Sequence, residues 1–166
     1  MNIKTIQVGP LETNCYILSI DNECIIVDPG DEFLKIKKEI GDKKVIGCLV
    51  THFHQDHIEA LEELVSYYDI EINKSQYGKF EYEIIETPGH TFDSKTFYFK
   101  KDNIMFTGDF IFYRSIGRTD LGGNNKDMIT SLENFKKYDD NITIYPGHGP
   151  STILGEEKKY FELYFK

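Results

Sequence analysis

The sequence predicts an α/β domain, in which helices pack on β-sheets. Short apolar or β-branched runs bounded by turn residues are typical of strands, and apolar residues three or four positions apart are typical of amphipathic helices. Both kinds of segment are interspersed along a chain of 166 residues. A chain of this length can bury a sizeable core, so we expect one domain spanning residues 1–166.

The first half of the chain is predicted to contain four strands and two helices. The strands are expected at residues 3–8, 15–20, 24–27 and 44–50. The helices are expected where apolar side chains recur at helical spacing, first at Phe33, Ile36 and Ile40, then at Ile58, Leu61, Leu64, Val65 and Tyr68. Gly41 is the expected end of the first helix. The fourth strand leads directly into Thr51 and a group of histidines.

The second half is predicted to contain four more strands and two more helices. The strands are expected at residues 81–87, 96–100, 103–107 and 142–145, and the helices at 128–138 and 155–162. Polar residues with metal-binding side chains follow several of the predicted strand ends, namely His52, Asp109 and His148. Loops at strand ends are where a rigid scaffold usually presents its chemistry.

Composition narrows the classes of function. The net charge is −9, with 17 Lys and only two Arg, which argues against a nucleic-acid partner. The three cysteines are widely spaced and form no Cys-x-x-Cys pair, as expected of reduced thiols in a cytoplasmic protein. No apolar run approaches the roughly 18 residues that a membrane span needs, so no membrane partner is expected.

The histidines are the strongest signal in the sequence. Three of the five lie between Thr51 and His57 together with Asp56. Side chains two apart on an extended segment point the same way, so His52 and His54 can face one ion. Asp56 and His57 follow where the chain turns into a helix, and they can face a neighbouring ion. Imidazole nitrogen and carboxylate oxygen are ligands that zinc and similar ions accept.

Further ligands must come from elsewhere, because four residues cannot saturate two ions. The remaining histidines, His90 and His148, each sit in a Pro-Gly-His triplet, and Asp109 ends a predicted strand. A Pro-Gly-His turn or an Asp at a strand end is by itself commonly structural. Because all five histidines fall at turn-like strand ends, the combination predicts metal binding.

At this point the sequence resembles the metallo-β-lactamase superfamily. The pattern His52-x-His54-x-Asp56-His57, followed by a later His, an Asp and a last His, is the ligand order of that superfamily. Within it, the glyoxalase II-like hydrolases, also called hydroxyacylglutathione hydrolases, are the closest match. The supporting segments run nearly end to end at residues 9–16, 27–30, 87–91, 106–109, 115–120 and 145–150.

The resemblance implies an αββα sandwich, with two mixed β-sheets flanked by helices, and it assigns the ligands. His52, His54 and His90 would hold a first divalent ion, and Asp56, His57 and His148 a second. Asp109 would bridge the two ions, and with Asp56 it would form the water-activating part of the site. Asp28 would orient ligands from behind. Zinc is the expected metal, and iron or manganese would also accept these ligands.

Four differences from particular members of the superfamily bear on the substrate. The best-known β-lactamase subclass has Cys where Asp109 stands, which argues against antibiotic hydrolysis. Glu59 and Asp93 stand where relatives often have Gly, and Asp93 is expected to reshape its loop. The chain ends 18 residues after His148, so the C-terminal helical domain of the larger glyoxalase II enzymes is not expected. Its absence argues against a glutathione thioester as the natural substrate.

The predicted activity is hydrolysis of a thioester or related small acyl ester by a hydroxide held between two ions. A thiolate leaving group suits a site in which every histidine is a ligand, since no His general acid remains. Arg114 and Arg118 lie in the loop after Asp109. Because arginine pairs with anions in a bidentate way, these two residues predict recognition of a small anionic substrate. Alternatively, Arg118 holds its loop through Asp120.

Other activities are compatible with the same motifs. One is a persulfide dioxygenase-like oxidoreductase that uses a single iron, although the presence of all ligands for two ions favours a hydrolase. Another is a phosphodiesterase or nuclease of the same superfamily, against which the net charge of −9 weighs. A purely structural metal module is disfavoured because a bridging position remains open for water. The oligomeric state is left open.

Overall fold

The computed structural model describes Met1–Lys166 and contains two compact units, Met1–Tyr82 and Glu83–Lys166. Each unit is built on one sheet with both parallel and antiparallel strand pairs, and each contributes helices. The prediction of mixed sheets combined with helices is therefore confirmed. No helix has the length and apolar character needed to cross a membrane.

The first unit contains a four-stranded sheet in the order β1-β2-β3-β4. Its strands are β1 Asn2–Val8, β2 Thr13–Ile20, β3 Glu23–Val27 and β4 Lys44–Leu49. The first two pairings are antiparallel, and β3 pairs with β4 in parallel. All four strands lie within two residues of the predicted ranges. The parallel pair places the end of β4, which leads to His52, beside the end of β3, which leads to Asp28.

Three helices follow the strands of the first unit: α1 Phe33–Ile40, α2 Gln55–Ile58 and α3 Leu61–Tyr68. Helix α1 ends at Gly41, as predicted, because Gly41 adopts φ 64°, which favours glycine. The helix predicted from Ile58 onward is wrong in its start, since α2 and α3 are separate. The amide groups of Glu59 and Ala60 donate to the carbonyls of Gly30 and Pro29 instead of continuing α2.

The second unit contains a five-stranded sheet in the order β11-β10-β7-β6-β5. Its strands are β5 Glu83–Glu86, β6 Lys95–Phe99, β7 Ile104–Gly108, β10 Thr143–Pro146 and β11 Thr152–Ile153. Strands β7 and β10 are parallel, and the other pairs are antiparallel. A separate hairpin is formed by β8 Ile111–Phe112 and β9 Ser115–Ile116. The sequence patterns did not predict β8, β9 or β11 because each is only two residues long.

Two helices complete the second unit: α4 Asn125–Phe135 and α5 Leu154–Lys158. Helix α4 begins three residues before the predicted start, because the Asn124 side chain caps it by accepting a hydrogen bond from the Asp127 amide (2.9 Å). Its predicted inward-facing residues are buried in the core of this unit, namely Met128, Leu132 and Phe135. Helix α5 is shorter than the predicted 155–162, since turns follow Lys158.

Candidate metal centre

The four candidate ligands of the first unit lie together after β4. The chain leaves the strand, passes Thr51 and reaches His52, and α2 then carries Asp56 and His57. The ring centroids of His52 and His54 are 4.8 Å apart, and those of His52 and His57 are 4.2 Å apart. The Nε2 atom of His57 lies 3.4 Å from Oδ2 of Asp56. These four side chains are thus close enough together to act as ligands of metal ions.

Asp28 orients two of these histidines through hydrogen bonds, His57 directly and His52 through Thr51. It is buried, and its Oδ2 atom lies 2.9 Å from Nδ1 of His57 and accepts a hydrogen bond from the Thr51 hydroxyl (2.7 Å). The same hydroxyl oxygen lies 3.1 Å from Nδ1 of His52. Since the single hydroxyl hydrogen goes to Asp28, Nδ1 of His52 is the donor to Thr51. One carboxylate therefore holds His57 directly and His52 through Thr51.

This hydrogen-bond chain leaves the Nε2 atoms for metal binding. An ionised carboxylate only accepts hydrogen bonds, so Nδ1 of His57 must carry its proton. With Nδ1 protonated in both neutral rings, Nε2 of His52 and His57 each keeps its lone pair. Both Nε2 atoms are buried. Histidines that bind metals usually donate their other ring nitrogen in this way.

Asp56 is supported by two elements of the first unit. The hydroxyl of Thr13, at the start of β2, donates to its Oδ2 atom (3.0 Å). Gly30 passes so close to the Asp56 backbone that an added Cβ would lie 1.9 Å from its carbonyl oxygen. Any larger residue at position 30 would displace α2, and the Asp56 side chain with it.

The three candidate ligands of the second unit are grouped around one carboxylate. Oδ2 of Asp109 lies 3.5 Å from Nε2 of His90 and 3.5 Å from Nε2 of His148. Asp109 follows β7 and His148 follows β10, and the parallel pairing of these strands sets Pro146 opposite Gly108. Nδ1 of His90 lies 2.6 Å from the Arg118 carbonyl oxygen, which can only accept a hydrogen bond. The Nε2 lone pair of His90 therefore points toward Asp109.

The donor atoms in each unit fit divalent metal ions. They are imidazole nitrogens and carboxylate oxygens, and in three of the histidines a hydrogen bond holds Nδ1 and leaves Nε2 available as a metal ligand. The three cysteines contribute no sulfur to this set, because they are buried in the apolar core of the first unit. Burial raises the pKa of Cys24 to about 11 and keeps its thiol protonated.

The two arginines make contacts within the second unit. Arg118 forms a two-point pair with Asp120, through Nε to Oδ1 and Nη2 to Oδ2, both 2.6 Å. The hydrogen bond from Arg118 lowers the pKa of the Asp120 carboxyl to about 2. Arg114 donates to the Tyr160 hydroxyl, and its guanidinium lies 4.9 Å from the centre of that ring. Recognition of a substrate by either arginine stays a prediction.

A cavity of about 390 Å³ lies beside Asp56 in the first unit. Apolar residues of the β1–β2 connection line it, including Pro10 and the exposed Leu11. Its charged lining is acidic and comes from Asp31, Asp56 and Glu59. Glu59 therefore adds negative charge to this cavity. Uncharged or cationic groups suit the cavity better than anionic ones.

Asp93 lies in the loop after His90. Its carboxylate accepts a hydrogen bond from the Thr91 hydroxyl (2.6 Å), and its carbonyl accepts one from Lys95 (3.0 Å). Its contacts are therefore with residues of its own loop and the start of β6.

Three supporting groups were not predicted from the sequence: the hydroxyls of Thr13 and Thr51 and the carbonyl of Arg118. Thr51 directly precedes His52 and Thr13 lies in one of the family-like segments, so both threonines had a positional signal. A backbone carbonyl has no signal of its own in the sequence.

Comparison with known proteins places these residues in a family context. The family model of the metallo-beta-lactamase superfamily matches residues 8–76 and 78–148. The probable metallo-hydrolase YqgX of Bacillus subtilis (strain 168) is 32% identical over 95% of each chain. The hydroxyacylglutathione hydrolase GloC of Haemophilus influenzae is 29% identical over 96% of each chain. The superfamily prediction is confirmed, and the narrower glyoxalase II-like assignment stays a prediction.

Solved structures share the fold. The BLEG-1 B3 metallo-beta-lactamase superposes with a TM-score of 0.91 at 26% identity, covering 99% of this chain and 100% of the other. TTHA1623 in a di-iron-bound form superposes with a TM-score of 0.83 at 26% identity, covering 92% of this chain and 95% of the other. The predicted metallo-β-lactamase fold is therefore confirmed.

Proposed function

This chain belongs to the metallo-β-lactamase superfamily, and from that premise we propose that it hydrolyses small thioesters with two divalent metal ions. In this proposal His52, His54 and His90 would hold a first ion, Asp56, His57 and His148 would hold a second, and Asp109 would be a ligand to both. The observation that supports this proposal most strongly is the position of Asp109. Its Oδ2 atom lies 3.5 Å from Nε2 of His90 and 3.5 Å from Nε2 of His148.

Zinc is the first choice of metal, and iron is the second. The ligand set contains nitrogen and oxygen only, which both metals accept. The likeness to a protein whose structure is described as di-iron-bound supports keeping iron as an alternative.

The ions, when bound, supply Lewis acidity and lower the pKa of coordinated water toward neutrality. The protein residues fix where that chemistry takes place. Asp28 and Thr51 keep the Nε2 lone pairs of His52 and His57 available, because they hold the Nδ1 protons. The hydroxyl of Thr13 orients the Asp56 carboxylate. The cavity beside Asp56 offers an apolar surface for part of the substrate.

The leaving group is best described as a thiolate. If all five histidines bind metal, none can protonate a departing nitrogen or alkoxide. A thiolate departs without that help because its conjugate acid has a pKa near 8.5. Similarity to a hydroxyacylglutathione hydrolase at 29% identity supports the same bond type. Amides, which need protonation of the leaving nitrogen, are expected to react far more slowly.

Arg114 and Arg118 are the proposed contacts for an anionic group of the substrate. Both are exposed and lie within nine residues of Asp109. We expect Arg114→Ala to raise KM for anionic thioesters with little change in kcat, because a binding contact is lost while the proposed metal ligands stay in place. Steady-state kinetics with an anionic and an uncharged thioester would test this. An unchanged KM for every anionic substrate would remove the recognition role.

The proposed function is tested by metal analysis of the purified protein, run together with activity assays. The panel contains a glutathione thioester, a smaller thioester, an oxygen ester, a β-lactam and a phosphodiester. We expect two divalent ions per chain and hydrolysis of a thioester that is lost in Asp109→Ala. No bound metal after expression with ample supply would refute the proposal. One iron per chain, together with oxygen uptake on addition of a persulfide, would replace the hydrolase with an oxidoreductase.

A further inference from the structure

One hairpin of the second unit contacts all three candidate ligands of that unit. This ligand-supporting hairpin runs from Asp109 to Arg118 and includes β8 and β9. It begins at Asp109 itself, and the carbonyl of Arg118 at its end lies 2.6 Å from Nδ1 of His90. In between, the Phe112 ring packs edge-on against His148 with centroids 6.1 Å apart.

The hairpin closes tightly on these ligands. An added Cβ at Gly117 would lie 1.8 Å from the Asp109 carbonyl oxygen and 3.0 Å from Nδ1 of His90. A shift of the hairpin would therefore move the groups that orient His90 and Asp109. Interiors packed this closely transmit displacement instead of absorbing it.

The tip of the hairpin is held by a buried carboxylate. Arg114 lies at the tip with φ 57°, a conformation that L-residues rarely adopt. Its amide donates to Oε2 of Glu157 (2.9 Å), and the hydroxyl of Thr152 donates to Oε1 of the same residue (2.5 Å). Glu157 is only 1% exposed. Thr152 lies four residues after His148, so Glu157 joins the hairpin to the segment that follows the last ligand.

We propose that Glu157 is a positioning residue for the metal centre, acting on His90, Asp109 and His148 through the hairpin. A buried carboxylate is costly unless its oxygens accept hydrogen bonds. Each oxygen of Glu157 accepts one hydrogen bond. One donor, Arg114, lies in the hairpin, and the other, Thr152, lies in the segment that follows His148. This role rests on the proposed function, because it assumes that these three residues bind metal.

The test compares Glu157→Gln with Glu156→Gln. The side-chain amide introduced by E157Q turns an N–H group toward one of the two donors, so one hydrogen bond is lost. Glu156 is the neighbouring carboxylate, but it is exposed and pairs with Lys159 (2.8 Å). Zn²⁺ affinity is measured on metal-free protein by competition with a chromophoric chelator, and thermal unfolding of the metal-free variants is recorded separately. We expect E157Q to weaken binding by about tenfold and E156Q to leave it unchanged.

Equal Zn²⁺ affinity of E157Q and the wild type would overturn the role of Glu157, even if E157Q unfolded at a lower temperature. A wild-type chain that binds no metal would instead overturn the proposed function itself. If E157Q does not fold, hydrogen exchange of the Arg114 amide in the wild type decides. Coupling is reciprocal, so Zn²⁺ should slow that exchange. An identical exchange rate with and without Zn²⁺ would refute the coupling.

Discussion

Replacement of Asp28 by Asn tests the support of the metal centre most directly. Asn has the shape of Asp and tolerates the positive φ of position 28 (50°), so the backbone should be retained. The Thr51 amide can still donate to the Oδ1 position (2.8 Å). At the other position an NH₂ group replaces Oδ2 and meets two donors, the Thr51 hydroxyl and Nδ1 of His57.

The expected loss of metal affinity follows from these contacts. Each hydrogen bond to a charged group contributes about 1.5–3 kcal/mol, and the substitution removes two. Part of this hydrogen-bond energy is recovered if His57 changes tautomer so that its Nδ1 accepts a hydrogen bond from the new amide. In that tautomer Nε2 carries the proton and its lone pair is no longer available to a metal. We therefore expect metal affinity to fall about 10- to 100-fold, equivalent to about 1.4–2.7 kcal/mol.

Titration of metal-free D28N with Zn²⁺, in competition with a chelator, measures this loss. Asp69→Asn is a matched control, because Asp69 also has a positive φ (51°) but is exposed at the end of α3. D69N should bind metal as the wild type does. Binding of both ions by D28N with wild-type affinity would show that the Asp28 carboxylate does not set the state of His57.

Three further predictions concern packing, thiol reactivity and pH. Gly117→Ala should lower the free energy of unfolding by about 1–3 kcal/mol in denaturant titrations, because its Cβ would lie 1.8 Å from the Asp109 carbonyl oxygen; an unchanged free energy of unfolding would contradict that contact. Iodoacetamide at about pH 8 should modify no thiol in the native protein and all three in denaturant, because burial raises the pKa of Cys15, Cys24 and Cys48. One fast-reacting native thiol would refute this. Pairing with Arg118 depresses the pKa of Asp120 in the folded state to about 2, so the pair stabilises the fold above about pH 4 and loses this effect as the pH falls through about 2. A midpoint near pH 4 for Asp120 in an NMR titration would contradict this prediction.

The longer elements of the fold could be predicted from the sequence because their periodicity extends over enough residues. Strand β2 and helix α1 carry clear patterns, and Gly41 marks the end of the helix. The break between α2 and α3 could not be predicted, since it depends on the carbonyls of Pro29 and Gly30, which are distant in sequence. The two-residue strands β8, β9 and β11 are too short to show a period.

The residues of the candidate site could likewise be predicted from the sequence only in part. Side chains with rare chemistry and regular spacing, such as His52 and His54, could be identified because histidine is scarce in this chain. The role of Glu157 could not, because one glutamate among many carries no signal until the structure shows it buried. The acidic lining of the cavity beside Asp56 also depends on residues brought together by the fold, namely Asp31 and Glu59.

Three of the histidines each donate an orienting hydrogen bond to a different kind of acceptor: His57 to a carboxylate, His52 to a hydroxyl and His90 to a main-chain carbonyl. Alanine scanning would detect the first two, because Asp28 and Thr51 can be truncated. It would miss the third, since every amino acid at position 118 keeps its carbonyl group. A mutational map of this protein would therefore under-report the support of His90, and tolerance at position 118 would not show that its backbone is dispensable.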